Sequence, residues 1–274
     1  MSPSNPVSGR RSPVAARVTV LGSGTSHGVP MIGCDCAVCT SNDPRDIRLR
    51  PSIYVEAEGY ASIVVDMTPD FRQQALRHRI RRIDAVLITH SHADHILGFD
   101  EIRRFNTMQG AAIRAYGNRE AWDVLKRSFY YAFDGLPRLG GGVPQVIDIE
   151  VTAPFTVDGV QVVPLPVWHG QLPVLGFRMG RFAYVTDCSR IPDESWPLLD
   201  GVETLVLGAL RDEPHPTHFT VAEALEAIAR IAPRRAYLTH MTHELGHAAT
   251  SARLPAGVEL AYDGLVLDVS VDVE

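Results

Sequence analysis

Short apolar runs and amphipathic runs alternate along the chain. "RVTVLGSG" at 17–24 has the alternation of a strand and ends in a glycine-rich turn. "SIYVEAEGYASIVVDM" (52–67) predicts two strands turning about Gly59. Helical spacing recurs at 70–80, 96–108 and 118–133, and the strand "IRAYG" (113–117) separates the last two. "IDAVLITH" (83–90) is mostly apolar, the pattern of a strand buried on both faces. A glycine-rich loop at 135–144 leads to strands at 145–151, 160–166, 174–179 and 182–186. "TVAEALEAIARI" (220–231) predicts a helix with Thr220 as N-cap and Glu223 completing a capping box. "RAYLTH" (235–240) is a strand, and 258–269 supplies one or two more. There is no fixed-period repeat and no linker able to separate two domains. Strands interleaved with helices at both ends of the chain predict two sheets packed face to face with helices outside. That is a four-layer αββα sandwich, a single domain over 17–274. The opening "MSPSNPVSGRRSPVAA" has Pro, Ser and Arg without an apolar segment, so residues 1–16 read as a disordered leader and not as a secretory signal.

Composition narrows the partners. With 274 residues, 45% of them hydrophobic and 21% charged, the chain can bury a full core. No run of about eighteen apolar residues exists to span a membrane. Twenty-six basic against thirty-two acidic side chains give a net charge of −6, which argues against nucleic acid as a partner. The expected compartment is the cytoplasm, where thiols stay reduced. There the three cysteines of "GCDCAVC", Cys34, Cys36 and Cys39, favour a metal over disulfides.

The strongest chemical signal is "THSHADH", which follows the buried strand at 83–90. His90, His92, Asp94 and His95 fall in what reads as a tight turn, able to aim two imidazoles at one metal and an aspartate and an imidazole at a second. Imidazole and carboxylate suit zinc, manganese or iron. His169, Asp187 and His240 each follow an apolar strand and precede a turn, so loops from one sheet edge can converge on one pocket.

With "THSHADH", His169, Asp187 and His240, the chain from Arg17 onward resembles the metallo-β-lactamase superfamily. The resemblance implies the αββα fold and a dinuclear centre of two divalent ions, zinc or manganese. His90, His92 and His169 would hold the first metal, Asp94, His95 and His240 the second, and Asp187 would bridge them. An aspartate at position 94 matches the hydrolase pattern; oxygen-reducing diiron relatives carry a glutamate between their paired histidines. Cys188, beside Asp187, reads as a small packed thiol.

"GSGTSHGVPMIGCDCAVC" with "DPRDIRLRPS" narrows the likeness to the PhnP-type phosphodiesterases. That branch implies a fourth ligand in "LTHMTH", giving Cys34, Cys36, Cys39 and His243 around one structural zinc. A closed tetrahedron leaves no reactive position. The resemblance also implies His218 as general acid, and a metal-bridging hydroxide attacking phosphorus in a small cyclic phosphodiester such as phosphoribosyl 1,2-cyclic phosphate. It suggests a homodimer. His215 has no assigned role, and His27, His78 and His247 are expected in loops or on surfaces. Arg45, Arg48 and Arg50 could bind a terminal phosphate or form internal salt bridges. The same metals and fold also serve thioester and lactam hydrolases and tRNA-processing nucleases, although the chain lacks a basic, glycine-rich arm for RNA. A non-catalytic metal-stabilised module binding a phosphorylated ligand is the alternative outside enzymes.

Overall fold

The structure is a computed structural model that describes residues 12–136 and 142–274. In its amino-terminal half are strands β1 (Ser12–Gly22), β2 (Ser52–Ala57), β3 (Ser62–Val65), β4 (Ala85–Leu87), β5 (Ile113–Gly117) and β6 (Val146–Glu150). Helices α1 (Phe71–Arg77), α2 (Ala93–Ile96), α3 (Ile102–Gln109), α4 (Arg119–Ser128) and α5 (Tyr130–Phe133) connect them. The second half adds β7 (Phe155–Val157), β8 (Val160–His169), β9 (Leu172–Met179), β10 (Phe182–Val185), β11 (Thr204–Gly208), β12 (Arg235–Thr239), β13 (Val258–Leu260) and β14 (Val266–Val273). Its helices are α6 (Val221–Ile231) and α7 (His247–Ser251).

Hydrogen bonding runs through one path, β13-β12-β11-β10-β9-β8-β14-β1-β2-β3-β4-β5-β6, with β7 beside β8. The path is thinnest between β8 and β14, where a single register pair, Val273↔Val160, joins the halves. Each half carries its parallel strands on its outer flank: β3 to β6 on one side and β10 to β13 on the other. Parallel neighbours need crossovers, and these are the helices.

Alternation along the strands builds the layers. Ile53, Val55, Ile63, Val65 and Leu87 face Phe177, Phe182, Tyr184, Val206 and Tyr237 in a central core between the sheets. The opposite residues of the same strands, Tyr54, Val64 and Val86, pack under helices with Phe71, Phe105 and Trp122. On the far side Ala183, Val185, Leu205, Leu207 and Leu238 meet Ala224 and Ile228 of α6. Three cores between four layers make the αββα sandwich that the sequence predicts. The capping box at Thr220 and Glu223 is present, starting α6 one residue later.

Two expectations need correction. β1 begins at Ser12, and Ser12 to Ala16 pair with Val273 to Val269, so residues 12–16 belong to the domain and not to a leader. The physical reason is alternation: Val14 and Ala16 pack on the central core while the backbone of this segment is paired with β14. Residues 1–11 of the expected leader, and 137–141 of the glycine-rich loop, lie outside the described residues. The second correction concerns the 90–95 turn. His92 is an extended N-cap (φ −65°, ψ 151°), and Asp94 and His95 stand on the first turn of α2. Strand end, cap and helix together fan the ligand-type side chains. Among the described residues no helix is long and apolar enough to cross a membrane.

Candidate dinuclear metal centre

His169 is the last residue of β8, and Asp66, His90, Asp187 and His240 stand shortly past the carboxyl ends of β3, β4, β10 and β12. The carboxyl edge of parallel strands is where open α/β sheets place their ligands. Asp66 and His240 hold positive φ, 65° and 61°. Such backbone costs about 1–3 kcal/mol at a non-glycine residue and concentrates at functional sites. Gly208 closes β11 against the same edge. A Cβ there would meet the Thr186 carbonyl oxygen at 1.9 Å, so only glycine lets β11 lie beside the turn that carries Asp187.

Asp187 is the centre of the pocket. Its Oδ2 lies 3.8 Å from His90 Nε2 and 3.9 Å from His169 Nε2. Its Oδ1 lies 3.2 Å from both His95 Nε2 and His240 Nε2. Asp94 Oδ2 stands 3.3 Å from His95 Nε2 and 3.7 Å from His240 Nε2. The donor atoms of His90, His92, His169 and Asp187 lie within 4.8 Å of one another, and those of Asp94, His95 and His240 do likewise. All seven predicted ligand-type residues therefore converge as two cages, with one oxygen of Asp187 turned to each.

The chemistry of this donor set fits two cations. Nε2 of His90, His95 and His240 is buried with no hydrogen-bond partner. A buried polar group left unsatisfied costs about 1–3 kcal/mol, and three of them aim at one carboxylate. Burial would raise Asp187, but the facing His240, His95 and His90 hold its carboxyl well below the usual range. Burial would lower His95, but Asp187, Asp94 and Asp66 outweigh it and hold that imidazole well above its ordinary value. Burial takes His90 well below. A pair of cations would replace this proton arrangement with direct ligation.

The residue that the sequence reading missed is Asp66. It is fully buried, its Oδ2 is 2.7 Å from His95 Nδ1, and it accepts bonds from Thr89 N (2.8 Å) and Thr89 Oγ1 (2.7 Å). It fixes which nitrogen of His95 faces the pocket, as the Thr217 carbonyl does for His169 at 2.7 Å from Nδ1. The signal was in reach: "SIVVD" is the same apolar strand followed by a ligand-type residue. Asp66→Asn is expected to lower metal affinity or turnover by about 10–100-fold with the fold retained, checked by metal titration beside circular dichroism.

His218 closes the pocket from the loop before α6. Its ring stacks on His240 (4.7 Å, 21°) and stands edgewise to His169 (4.4 Å), with Nδ1 3.9 Å from Asp187 Oδ2. Burial first, then the facing His240, pushes it down to about 3. His215 stands behind it, 5.2 Å between ring centres.

The cysteine loop closes around His243. Its Nδ1 lies 3.3 Å from Cys34 Sγ and 3.2 Å from Cys36 Sγ, and all four donor atoms are within 4.8 Å. Zinc bonds to sulfur and nitrogen give a tetrahedral edge of about 3.5 Å, so these separations suit a closed four-ligand site. The Cys39 N–H and then His243 hold Cys36 down at about 6, while burial pushes Cys39 up to about 11. The loop is tied to the active edge by backbone bonds: Thr25 N donates to Met241 O (3.0 Å) and Met241 N to Ser23 O (3.1 Å).

Each of the three arginines is paired with a carboxylate of the same chain. Arg45 pairs with Asp43 and Arg50 with Asp70. Arg48 is 1% exposed, pairs with Asp46, and donates to the carbonyls of Thr242 and Leu245, clamping the segment that holds His243. His247 is buried rather than on the surface: its backbone N–H donates to Asp46 (2.7 Å) and its ring packs on Tyr262. His27 is exposed and His78 half-buried at the end of α1. Cys188 is packed in the outer core, its thiol pushed up to about 12 by burial.

The chain is similar to known proteins over most of its length. The family described as "Beta-lactamase superfamily domain" matches residues 61–241. A crystal structure of a diphosphatase from the PhnP family superposes with a TM-score of 0.89 at 44% identity, covering 95% of this chain and 99% of that one. Coenzyme PQQ synthesis protein B of Methylobacterium radiotolerans is 30% identical over 227 residues, 69% of this chain and 71% of that protein. An octanoyltransferase of Porphyromonas gingivalis is 36% identical over 251 residues, 91% of this chain. The chain spans about half the length of that relative, 51%.

Proposed function

This chain belongs to the β-lactamase superfamily, and from its pocket we propose a metal-dependent hydrolase of small phosphodiesters. The observation that carries the reading is the split of Asp187, Oδ1 toward His95 and His240 and Oδ2 toward His90 and His169. His90, His92 and His169 would hold one ion and Asp94, His95 and His240 the other. Bound there, zinc or manganese ions would supply Lewis acidity and a water acidified to react near neutral pH.

The protein's own residues do the rest. Asp66 and the Thr217 carbonyl keep His95 and His169 in the orientation that faces inward. His218, with Nδ1 3.9 Å from Asp187 Oδ2, would deliver the proton that a leaving oxygen needs. Burial and the facing His240 disfavour the charged form of this ring, and the negative charge of an arriving phosphoryl group favours it. His218→Ala is then expected to cost about 10²-fold on a 2′,3′-cyclic nucleotide, whose leaving alkoxide is basic. It should cost little on bis(p-nitrophenyl) phosphate, whose phenolate leaves without help. Equal losses on both substrates would remove the proton-donor role.

We propose cyclic diesters such as phosphoribosyl 1,2-cyclic phosphate as the substrate class. The diphosphatase relative, similar along nearly its whole length, gives specific support to a second reading, cleavage of a diphosphate bond. Parallel turnover of a 2′,3′-cyclic nucleotide and a nucleoside diphosphate, with manganese or zinc added, separates the two. Hydrolysis of neither, with acyl-glutathione cleaved instead, would transfer the site to thioester chemistry.

A further inference from the structure

Away from the metal edge, the outer helical layer carries a groove between α1 with its following turn and α3. The cavity measures about 380 Å³, and Arg72, Arg79, Arg81 and Arg104 line it. Among the described residues none of these four guanidiniums has a carboxylate partner, whereas the adjacent Arg82 and Arg103 are paired with Asp84 and Asp100. Glu101 is the one acidic lining residue. In a chain with a net charge of −6, four unpaired arginines around one concavity form a local reversal of sign. Such a patch attracts an anionic partner.

The groove is also apolar beneath its charged rim. Ile80 and Phe105 are nearly buried in its floor, while Leu76 (63% exposed) and Met108 (38% exposed) stand beside it open to solvent. Large apolar side chains exposed along a groove mark a binding surface. A small anion filling the cavity would leave Leu76 and Met108 in water. A docked helix would cover both, because its apolar residues at i, i+3, i+4 and i+7 run along the cleft while its flanks meet the arginines. Single-stranded nucleic acid would need an exposed aromatic face for stacking, and Phe105 is 4% exposed. A bilayer calls for a protruding apolar surface, and this one is recessed. The chain's own residues 1–11 contain Arg10 and Arg11 and no acidic residue, the wrong charge for this rim.

We propose that the groove between α1 and α3 is a docking site for an acidic amphipathic helix of another protein. The complementary charges set orientation and encounter, and burial of Leu76 and Met108 supplies apolar contact.

The test uses the full chain against a displayed library of amphipathic helical peptides with leucine stripes and variable charged flanks. Counter-selection uses the double variant Arg72→Glu, Arg104→Glu. Enriched peptides are then labelled and titrated by fluorescence anisotropy. The expected result is enrichment of glutamate- and aspartate-flanked leucine stripes, binding that weakens with salt, and at least a tenfold loss in the double variant and in Leu76→Ser. Turnover of bis(p-nitrophenyl) phosphate stays at the parent level in both variants. No enrichment over the counter-selected variant, or peptides indifferent to Leu76→Ser, would overturn the proposal. So would preferential binding of phosphatidylglycerol vesicles or a single-stranded DNA oligonucleotide at these arginines.

Discussion

Asp187→Ala is expected to abolish measurable hydrolysis, a loss of about 10³-fold or more, and to strip metal from both cages. Asp187 is 3% exposed and meets His95 and His240 with one oxygen and His90 and His169 with the other. Among the described residues no other carboxylate reaches both triads; Asp94 stands only on the side of His95 and His240. Its removal leaves buried imidazoles facing one another with one negative charge fewer to hold cations near. Metal stabilisation of a transition state is worth several kcal/mol, and each ~1.4 kcal/mol is tenfold in rate. Turnover of bis(p-nitrophenyl) phosphate, read beside metal equivalents from mass spectrometry, checks this. A variant within about tenfold of the parent, with its metal retained, would leave the bridging role without support.

Cys36→Ser is expected to act on stability more than on chemistry. The thiolate of Cys36 and the imidazole of His243 are 207 residues apart in sequence and 3.2 Å apart in space. A cross-link closing a loop of that length stabilises by up to about 5 kcal/mol in the chain-entropy account. At about 2 °C per kcal/mol for a domain of this size, the thermal midpoint should fall by about 10 °C. One zinc per chain should be lost as well. Turnover should fall too, indirectly, because His240 precedes His243 by three residues and Met241 between them is bonded to Ser23 and Thr25. Calorimetry with metal analysis measures both effects, and an unchanged midpoint with unchanged zinc content would defeat the role.

The sequence showed its ligand-type residues because they interrupt strong local patterns. His90, His169, Asp187 and His240 each follow an apolar strand, and a polar residue at such an edge stands out. The sandwich was legible for the same reason, since period-two alternation on both flanks demands two covered faces. Asp66 escaped despite an identical context, because it bonds to His95 and Thr89 instead of ligating and has no neighbouring histidine to draw attention. Arg48 was ambiguous for a different reason. Its sequence neighbours are charged, and only the fold brings the carbonyls of Thr242 and Leu245 to its guanidinium. The start of the domain was misplaced because "SPVAA" is weakly apolar; its partner strand, β14, lies at the other end of the chain. Local pattern specified elements and donors, whereas long-range pairing specified which of them support one another.

Native mass spectrometry of the purified full chain tests the central claim most directly. The two His–Asp cages and the Cys34–Cys36–Cys39–His243 cluster predict three divalent ions per chain. One of them should disappear in Cys36→Ser, and up to two others in Asp187→Ala. A chain that carries no ion at the His–Asp edge, and hydrolyses its substrate equally well after chelation, would contradict the account.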